Sequence, residues 1–217
     1  MIAMARRNRP HRGRPQPTAP PLPARDWLTA GLAAAGVVVA LYLTYAKWSQ
    51  ATALFCETGG GCDVVQASRY ATFLGVPTAL WGAVLYAAVA VLAFLGLPEK
   101  RWLWAFLLAV AAVAFSAYLT WLSATELRAL CGWCLGSGAV AVGLLAVVLY
   151  RRPPPVGARS PLRPRRLAVY GALMALATVV VGAGVHAGSP SSAEAAYREG
   201  LARHLTRIGA IMYGAQW

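Results

Sequence analysis

The chain has 217 residues, of which 59% are hydrophobic and 12% charged. Its mean hydropathy of +0.54 and its apolar blocks exclude an ordinary soluble domain, because a helix of about twenty apolar residues crosses ~30 Å of hydrocarbon. The formal net charge of +13 would suit a protein that binds a polyanion. However, no basic face interleaved with aromatic residues is found, so we expect no nucleic-acid partner.

The distribution of the basic residues predicts how the chain is oriented in its membrane. Residues 1–25 and 151–166 are rich in Arg and Pro, and Lys100 and Arg101 lie in a third polar segment. If the apolar blocks cross the membrane in turn, all three segments lie on one side, which is the positive-inside pattern. We therefore expect a multi-pass protein whose N-terminus is cytoplasmic.

The N-terminal part of the chain predicts a tail, a first span and an outer loop. Residues 1–25 have almost nothing to bury and should form a disordered basic cytoplasmic tail, without a cleaved signal peptide. The first span runs from Trp27 to Trp48, with aromatic anchors at both ends. In the outer loop at 49–76, Asp63 is the predicted N-cap of a short surface helix. The residues at helical spacing after it are Val64, Val65, Ser68, Ala71 and Thr72.

Three more spans complete a four-helix domain at residues 26–150, and a fifth transmembrane helix follows. The predicted segments, in chain order, are the spans at 77–97, 102–124 and 131–150, the cytoplasmic loop at 151–166 and the fifth helix at 167–188. Residues 189–217 are then extracytoplasmic and contain an amphipathic helix at 193–208. The sequence thus predicts an all-α membrane protein, a four-helix transmembrane bundle with one added helix.

The four cysteines form two close pairs, and the predicted topology places both pairs at the outer face. Cys131 and Cys134 enclose a Gly-Trp dipeptide where a loop becomes a long apolar helix, so the helix N-terminus favours a thiolate at Cys131. Three glycines between Cys56 and Cys62 leave that loop flexible enough for Cys62 to attack the inner pair. Such a relay needs an electron acceptor. Because the chain has no other redox side chain and no haem-attachment motif, a quinone dissolved in the bilayer fits.

Two other interpretations of the cysteines stay open. Both pairs could be structural disulfides of a membrane scaffold or a transporter-like binder, since disulfides persist outside the cytoplasm. A four-cysteine zinc site is less consistent with the sequence, because the spacing from Cys56 to Cys62 is wider than zinc ligands usually have. We predict no metal site. The three histidines do not cluster, and we interpret them as incidental: His11, His186 and His204.

Several motifs together resemble the bacterial homologues of vitamin K epoxide reductase (VKOR). The segment CDVVQAS at 62–68, then GVP at 75–77, Trp81-Gly82 and Tyr86 resemble the first half of such a protein. Tyr118-Leu119 and the CGWC motif at 131–134 resemble the second half. The likeness covers about residues 27–150. It implies a four-helix bundle around a quinone, with the outer loop and its short helix closing the outer end.

The resemblance implies a role for each cysteine. Cys56 and Cys62 resemble the loop pair that accepts electrons from a partner protein. Cys131 resembles the inner cysteine that bridges to Cys62 during transfer, and Cys134 resembles the one that reduces the quinone, which would be ubiquinone or menaquinone. The implied enzyme is a thiol:quinone oxidoreductase with a redox-active centre on the periplasmic side of a bacterial inner (plasma) membrane.

Four further residues are predicted to contact the quinone. Ser68 matches a polar residue that relatives hold near a quinone oxygen, where a hydrogen bond would stabilise negative charge. Thr78 stands where some relatives carry an Asn that contacts a ring carbonyl, and Trp81 and Trp133 are close in sequence to the proposed site. Gly138 stands where vertebrate relatives carry a hydroxyl residue, which favours plain quinone reduction over vitamin K epoxide reduction, the alternative within the enzyme class.

The C-terminal residues resemble the start of a thioredoxin-like domain, which follows the fifth helix in bacterial homologues. The likeness lies in the segments LTRIGA at 205–210 and MYGAQW at 212–217. We expect that the sequence is truncated before that domain or lacks it. Its electron donor would then be a severed thioredoxin-like domain or a DsbA-like, thioredoxin-fold protein, and its other partners would be membrane lipid and quinone.

Overall fold

The computed structural model describes residues 25–49, 54, 56, 60–154, 161–187 and 192–208. Its helices, in chain order, are α1 (Trp27–Trp48), α2 (Gly61–Ala67), a 3-10 turn (Arg69–Ala71), α3 (Thr78–Phe94), α4 (Glu99–Thr125), α5 (Gly132–Tyr150), α6 (Pro164–Ala187) and α7 (Ser192–Arg207). The two strands, β1 (Thr72–Phe73) and β2 (Val76–Pro77), form one antiparallel hairpin. The predicted tail at 1–25 and the chain end after residue 208 lie almost wholly outside the described residues.

Four of the described helices are long and apolar enough to cross a membrane: α1, α4, α5 and α6. The fifth candidate, α3, has 17 residues and a length of about 25 Å. It is shorter than the predicted span at 77–97 because the chain leaves the helix after Phe94, where Gly96 takes a φ of +82° and Pro98 follows. The all-α membrane bundle predicted from the sequence is confirmed.

The bundle consists of α1, α3, α4 and α5, and α6 lies outside it along α4. All four bundle helices contribute to one core that contains many small side chains, which let the helices approach closely. One close approach is at Gly36 of α1, where a Cβ atom would lie 2.8 Å from the ring of Tyr86. That ring is buried, and its hydroxyl donates a hydrogen bond of 2.9 Å to the backbone oxygen of Ser137 on α5. Gly36 therefore allows Tyr86 to join α1, α3 and α5.

One end of the bundle, named the outer end after the predicted outer loop at 49–76, is covered by a cap that comprises α2, the 3-10 turn and the hairpin. Gly60 is the N-cap of α2, so the prediction that Asp63 caps this helix is wrong; Asp63 lies within its first turn. The helix ends at Ala67, before the residues 71 and 72 that were predicted to continue it. The hairpin explains the early end, because Leu74 and Gly75 both have positive φ, the backbone of a tight β-turn.

His186 is buried near the outer end of α6 and is not incidental to the packing. Its imidazole is surrounded by the rings of Tyr70, Phe73 and Tyr118, whose centroids lie 5.1, 6.0 and 6.0 Å away. Two of these rings belong to the cap and the third to α4. His186 therefore connects the fifth transmembrane segment to the cap.

The contact between Gly36 and Tyr86 leads to a testable prediction. Gly36→Ala places a methyl group against a ring held by its own hydrogen bond, and we expect it to lower the free energy of unfolding by about 1–3 kcal/mol. Gly31→Ala, on the same helix, meets nothing within 4 Å and should be neutral or stabilising. Denaturant unfolding in detergent measures both variants. Equal effects of the two substitutions would contradict the assigned packing.

Candidate redox site

A close approach of two backbone segments positions the four cysteines. Gly61, in the first turn of α2, lies against the residue before Cys131: a Cβ atom on Gly61 would be 2.5 Å from the backbone oxygen of Leu130. No larger residue fits there without displacement of the backbone. Because Cys62 follows Gly61 and Cys131 follows Leu130, the contact brings these two cysteines together.

The four sulfur atoms form a connected group at the outer end of the bundle. Cys56 and Cys62 are joined by a disulfide, with their Cα atoms 5.5 Å apart, and Cys131 and Cys134 are free thiols. The Sγ atoms of Cys62 and Cys131 are 3.3 Å apart. Cys131 is 2% exposed and Cys62 is 9% exposed, whereas Cys56 and Cys134 are half-buried. A thiol from outside therefore meets Cys56 more readily than Cys62.

Cys131 is the N-cap of α5, as the sequence predicted, and its sulfur accepts a hydrogen bond of 3.4 Å from the backbone N–H of Cys134. Hydrogen bonds from the Cys134 thiol and from the backbone N–H groups of Cys134 and Trp133 lower the pKa of Cys131 to about 6, although burial acts in the opposite direction. At neutral pH Cys131 is therefore largely a thiolate, the form that attacks a disulfide.

Cys134 opens onto a cavity of about 140 Å³ that residues of all four bundle helices and the cap line. The walls are mostly apolar, from side chains such as Leu43, Leu85 and Phe115. The polar lining groups are largely hydroxyls, carried by Tyr70, Thr78, Tyr86, Ser116, Thr120, Ser123 and Ser137. An apolar cavity with a few polar groups is typical of a site for a small, largely apolar molecule.

The structure places the four residues predicted to contact a quinone in different surroundings. Thr78 lines the cavity, and its hydroxyl donates a 3.1 Å hydrogen bond to the backbone oxygen of Tyr70. Ser68 is not a lining residue, and its hydroxyl donates to the backbone oxygen of Val65 instead. Trp81 is 40% exposed, and its indole N–H donates to Phe73 of the hairpin.

Trp133 contacts Leu54, two residues before Cys56. Its indole N–H donates a 2.7 Å hydrogen bond to the backbone oxygen of Leu54, and the Leu54 backbone N–H donates to the hydroxyl of Tyr42 at 2.8 Å. The rings of Tyr42 and Trp133 are also in contact, with centroids 5.3 Å apart. Sequence analysis missed Tyr42, because a tyrosine in an apolar span resembles any interfacial aromatic residue. It assigned no role to Tyr86 or Ser137, because a single polar residue within an apolar span does not indicate which neighbour it contacts.

A helical membrane bundle with two adjacent cysteine pairs beside an apolar cavity has the parts that thiol–disulfide exchange at a membrane requires. The chain belongs to the vitamin K epoxide reductase family, whose model matches residues 27–149. It is also 31% identical over 198 residues to the thiol-disulfide oxidoreductase LTO1 of Arabidopsis thaliana, an alignment that covers 81% of this chain and 52% of that protein. The chain thus spans about half the length of this relative.

The contact at Gly61 predicts how a small substitution affects the relay. Gly61→Ala must shift α2 away from Leu130 and so move Cys62 from Cys131, and we expect exchange between the two pairs to slow by up to about 10²-fold. Rapid quenching with an alkylating reagent, followed by mass analysis, measures this rate. Gly136→Ala, where nothing lies within 4 Å, is the control. An unchanged rate in Gly61→Ala would show that the contact does not set the sulfur distance.

The pKa of Cys131 predicts how the thiolate fraction of this residue changes with pH. Because its pKa is lowered to about 6, the thiolate is present above that pH and is lost as the pH falls below it. Cys134→Ala removes the largest cause of the shift and should move the midpoint upward, toward the ordinary thiol value of about 8.5. The ultraviolet absorbance of the thiolate in protein with a reduced inner pair, compared with Cys131→Ser, reports the midpoint. The assignment is wrong if Cys134→Ala leaves it unchanged.

Proposed function

We propose that this chain is a thiol:quinone oxidoreductase that generates disulfides in a thioredoxin-fold partner. Electrons pass from the partner to the loop pair, then to the inner pair, and finally to a quinone of the membrane. The partner is a DsbA-like protein or a thioredoxin-like domain of the kind that follows the fifth helix in bacterial homologues. The site lies on the outer side of a bacterial inner membrane, and the Arg-rich segments lie in the cytoplasm.

One observation carries the proposal: the sulfur of Cys62 is 3.3 Å from that of Cys131, and Cys134, one helical turn further, lines the apolar cavity. Exchange requires a thiolate and a disulfide sulfur in close approach. Here Cys131 of the inner pair makes that approach, while Cys134 faces a cavity that suits an apolar acceptor. A pair of purely structural disulfides needs neither feature.

The exchange steps follow from exposure and distance. A partner thiolate attacks Cys56, forms a mixed disulfide and releases Cys62 as a thiolate; the second partner thiol then displaces Cys56, which completes the partner's disulfide. When the inner pair is oxidised, the Cys62 thiolate attacks Cys131 and releases Cys134 beside the cavity. Cys56 then attacks Cys62, which re-forms the loop disulfide and leaves both inner cysteines reduced. The lowered pKa of Cys131 makes it a good leaving group in this last exchange.

The acceptor closes the cycle. Cys131 and Cys134 re-form their disulfide as they give up two electrons, which a bound quinone would accept together with one proton from Cys134 and one from water. The cavity fits a quinone, because the cavity walls are apolar and carry several hydroxyl groups that can donate hydrogen bonds to the two carbonyl oxygens. A plain quinone is favoured over an epoxide, since Gly138 provides no hydroxyl at the position where vertebrate relatives have one.

Two variants separate the functions of the two pairs. Purified protein should oxidise a reduced thioredoxin-fold protein in the presence of a ubiquinone or menaquinone analogue, and Cys134→Ala should abolish this activity. Cys56→Ala should block oxidation of the protein substrate but spare quinone reduction by a small dithiol, because the dithiol can reach the inner pair directly. Spectrophotometry of the quinone follows both reactions. Full activity in Cys134→Ala would refute the mechanism, and a scaffold with structural disulfides would show no turnover at all.

A further inference from the structure

Lys47 is a basic residue whose side chain turns toward the cavity. It lies in the last turn of α1, is half-buried, and lines the same cavity as Cys134. Its ammonium donates a hydrogen bond to the backbone oxygen of Gln66, near the end of α2, and Gln66 lines the cavity too. A lysine at the end of a span usually extends its ammonium into water. Here the hydrogen bond holds the charge beneath the cap instead.

The charge of Lys47 distinguishes it from the other described residues that line the cavity. Those residues are apolar or carry neutral hydroxyl, amide or thiol groups, so Lys47 is the cation among them. An ammonium has three N–H donors, and the oxygen of Gln66 takes one. In apolar surroundings the attraction between a cation and an anion is stronger than in water. The cavity is therefore suited to a molecule that gains negative charge during the reaction.

We propose that Lys47 is a catalytic residue that donates a hydrogen bond to one quinone oxygen while electrons arrive from Cys134. The inference rests on the function proposed above and deepens it. As Cys131 and Cys134 form their S–S bond, they lose two electrons and the proton of the Cys134 thiol. A bound quinone would accept both electrons with that proton and a second one from water, which gives a hydroquinone. Lys47 stabilises the charge that develops on the oxygen, as donors do in an oxyanion hole. Gln66 fixes the ammonium in place before the reaction.

The same hydrogen bond offers a competing role, because it also ties α1 to the helix that carries Cys62. Loss of Lys47 could then act through the position of Cys62. The two roles affect different steps. A charge that acts on the quinone affects oxidation of the inner pair, whereas a tie between α1 and α2 affects exchange between Cys62 and Cys131.

The test uses the full chain in detergent, dithiothreitol as donor and a short-chain ubiquinone analogue as acceptor. We expect Lys47→Met to lower kcat at saturating acceptor by about 10²-fold, because removal of one oxyanion donor causes a loss of that size. The change in KM should be smaller. Lys47→Arg keeps the charge and should retain activity within about tenfold of the original, and Lys47→Gln, a neutral donor, should lie between the two. The chain's other lysine is Lys100, at the start of α4, so Lys100→Met is the matched control and should be unchanged.

A second measurement separates the competing roles. Exchange between the loop pair and the inner pair is followed without quinone, by alkylation and mass analysis, and should proceed at the same rate in Lys47→Met and the unmodified chain. Slow exchange with normal oxidation of the inner pair would overturn the inference, and so would equal kcat values in Lys47→Met and the unmodified chain. If the unmodified chain reduces no quinone, the proposed function itself fails, which is a different result.

Discussion

The contact between the backbone of Gly61 and the backbone oxygen of Leu130 is the constraint on which the redox site depends. Two segments far apart in the chain approach so closely that a Cβ atom has no room. This approach places the next residue of each segment, Cys62 and Cys131, with their sulfur atoms 3.3 Å apart, the proximity that the proposed exchange requires. The glycine is thus required for the distance between two sulfurs, although it carries no chemistry of its own.

Other contacts at the outer end position the cap and Leu54, which lies close to Cys56 in the chain. Tyr42 and Trp133 bond to both backbone groups of Leu54, two residues before Cys56. On the opposite side of the cap, His186 packs among three aromatic rings and connects α6 to the hairpin. These contacts are made by aromatic and imidazole side chains, which carry no thiol. Their common effect is to give a short, irregular cap a defined position over the bundle.

The bundle below the cap combines close helix packing with an open cavity. Small residues let α1, α3, α4 and α5 approach each other in the core, and Gly36 accommodates the buried ring of Tyr86. The cavity lies toward the cap, where larger side chains and several hydroxyls form its walls. Cys134 lines this cavity because it lies in the first turn of α5, three residues after the N-cap Cys131 and three before Ser137, which lines the cavity too. The position at which α5 begins thus places Cys134 at the cavity.

The sequence by itself determined the class of protein, the membrane helices, and the pairing of the cysteines in the chain. These properties depend on hydropathy, on helix length and on short spacings, and each can be counted within a local segment. It also located Cys131 at a helix N-terminus, because that position depends only on where α5 begins. The end of α3 and the extent of α2 were less well predicted. A positive φ at Gly96 follows the end of α3, and a hairpin that turns at residues 74 and 75 takes the place of the predicted continuation of α2.

Only the tertiary structure decided which polar groups meet around the cavity. Thr78 lines it, whereas Ser68 bonds to the backbone of its own helix, and no local pattern distinguishes these two residues. Lys47, Tyr86 and Ser137 come from three different helices, and their proximity depends on how those helices are rotated and spaced. That arrangement results from packing among residues distant in the chain, whereas hydropathy specifies only which segments are buried in the membrane.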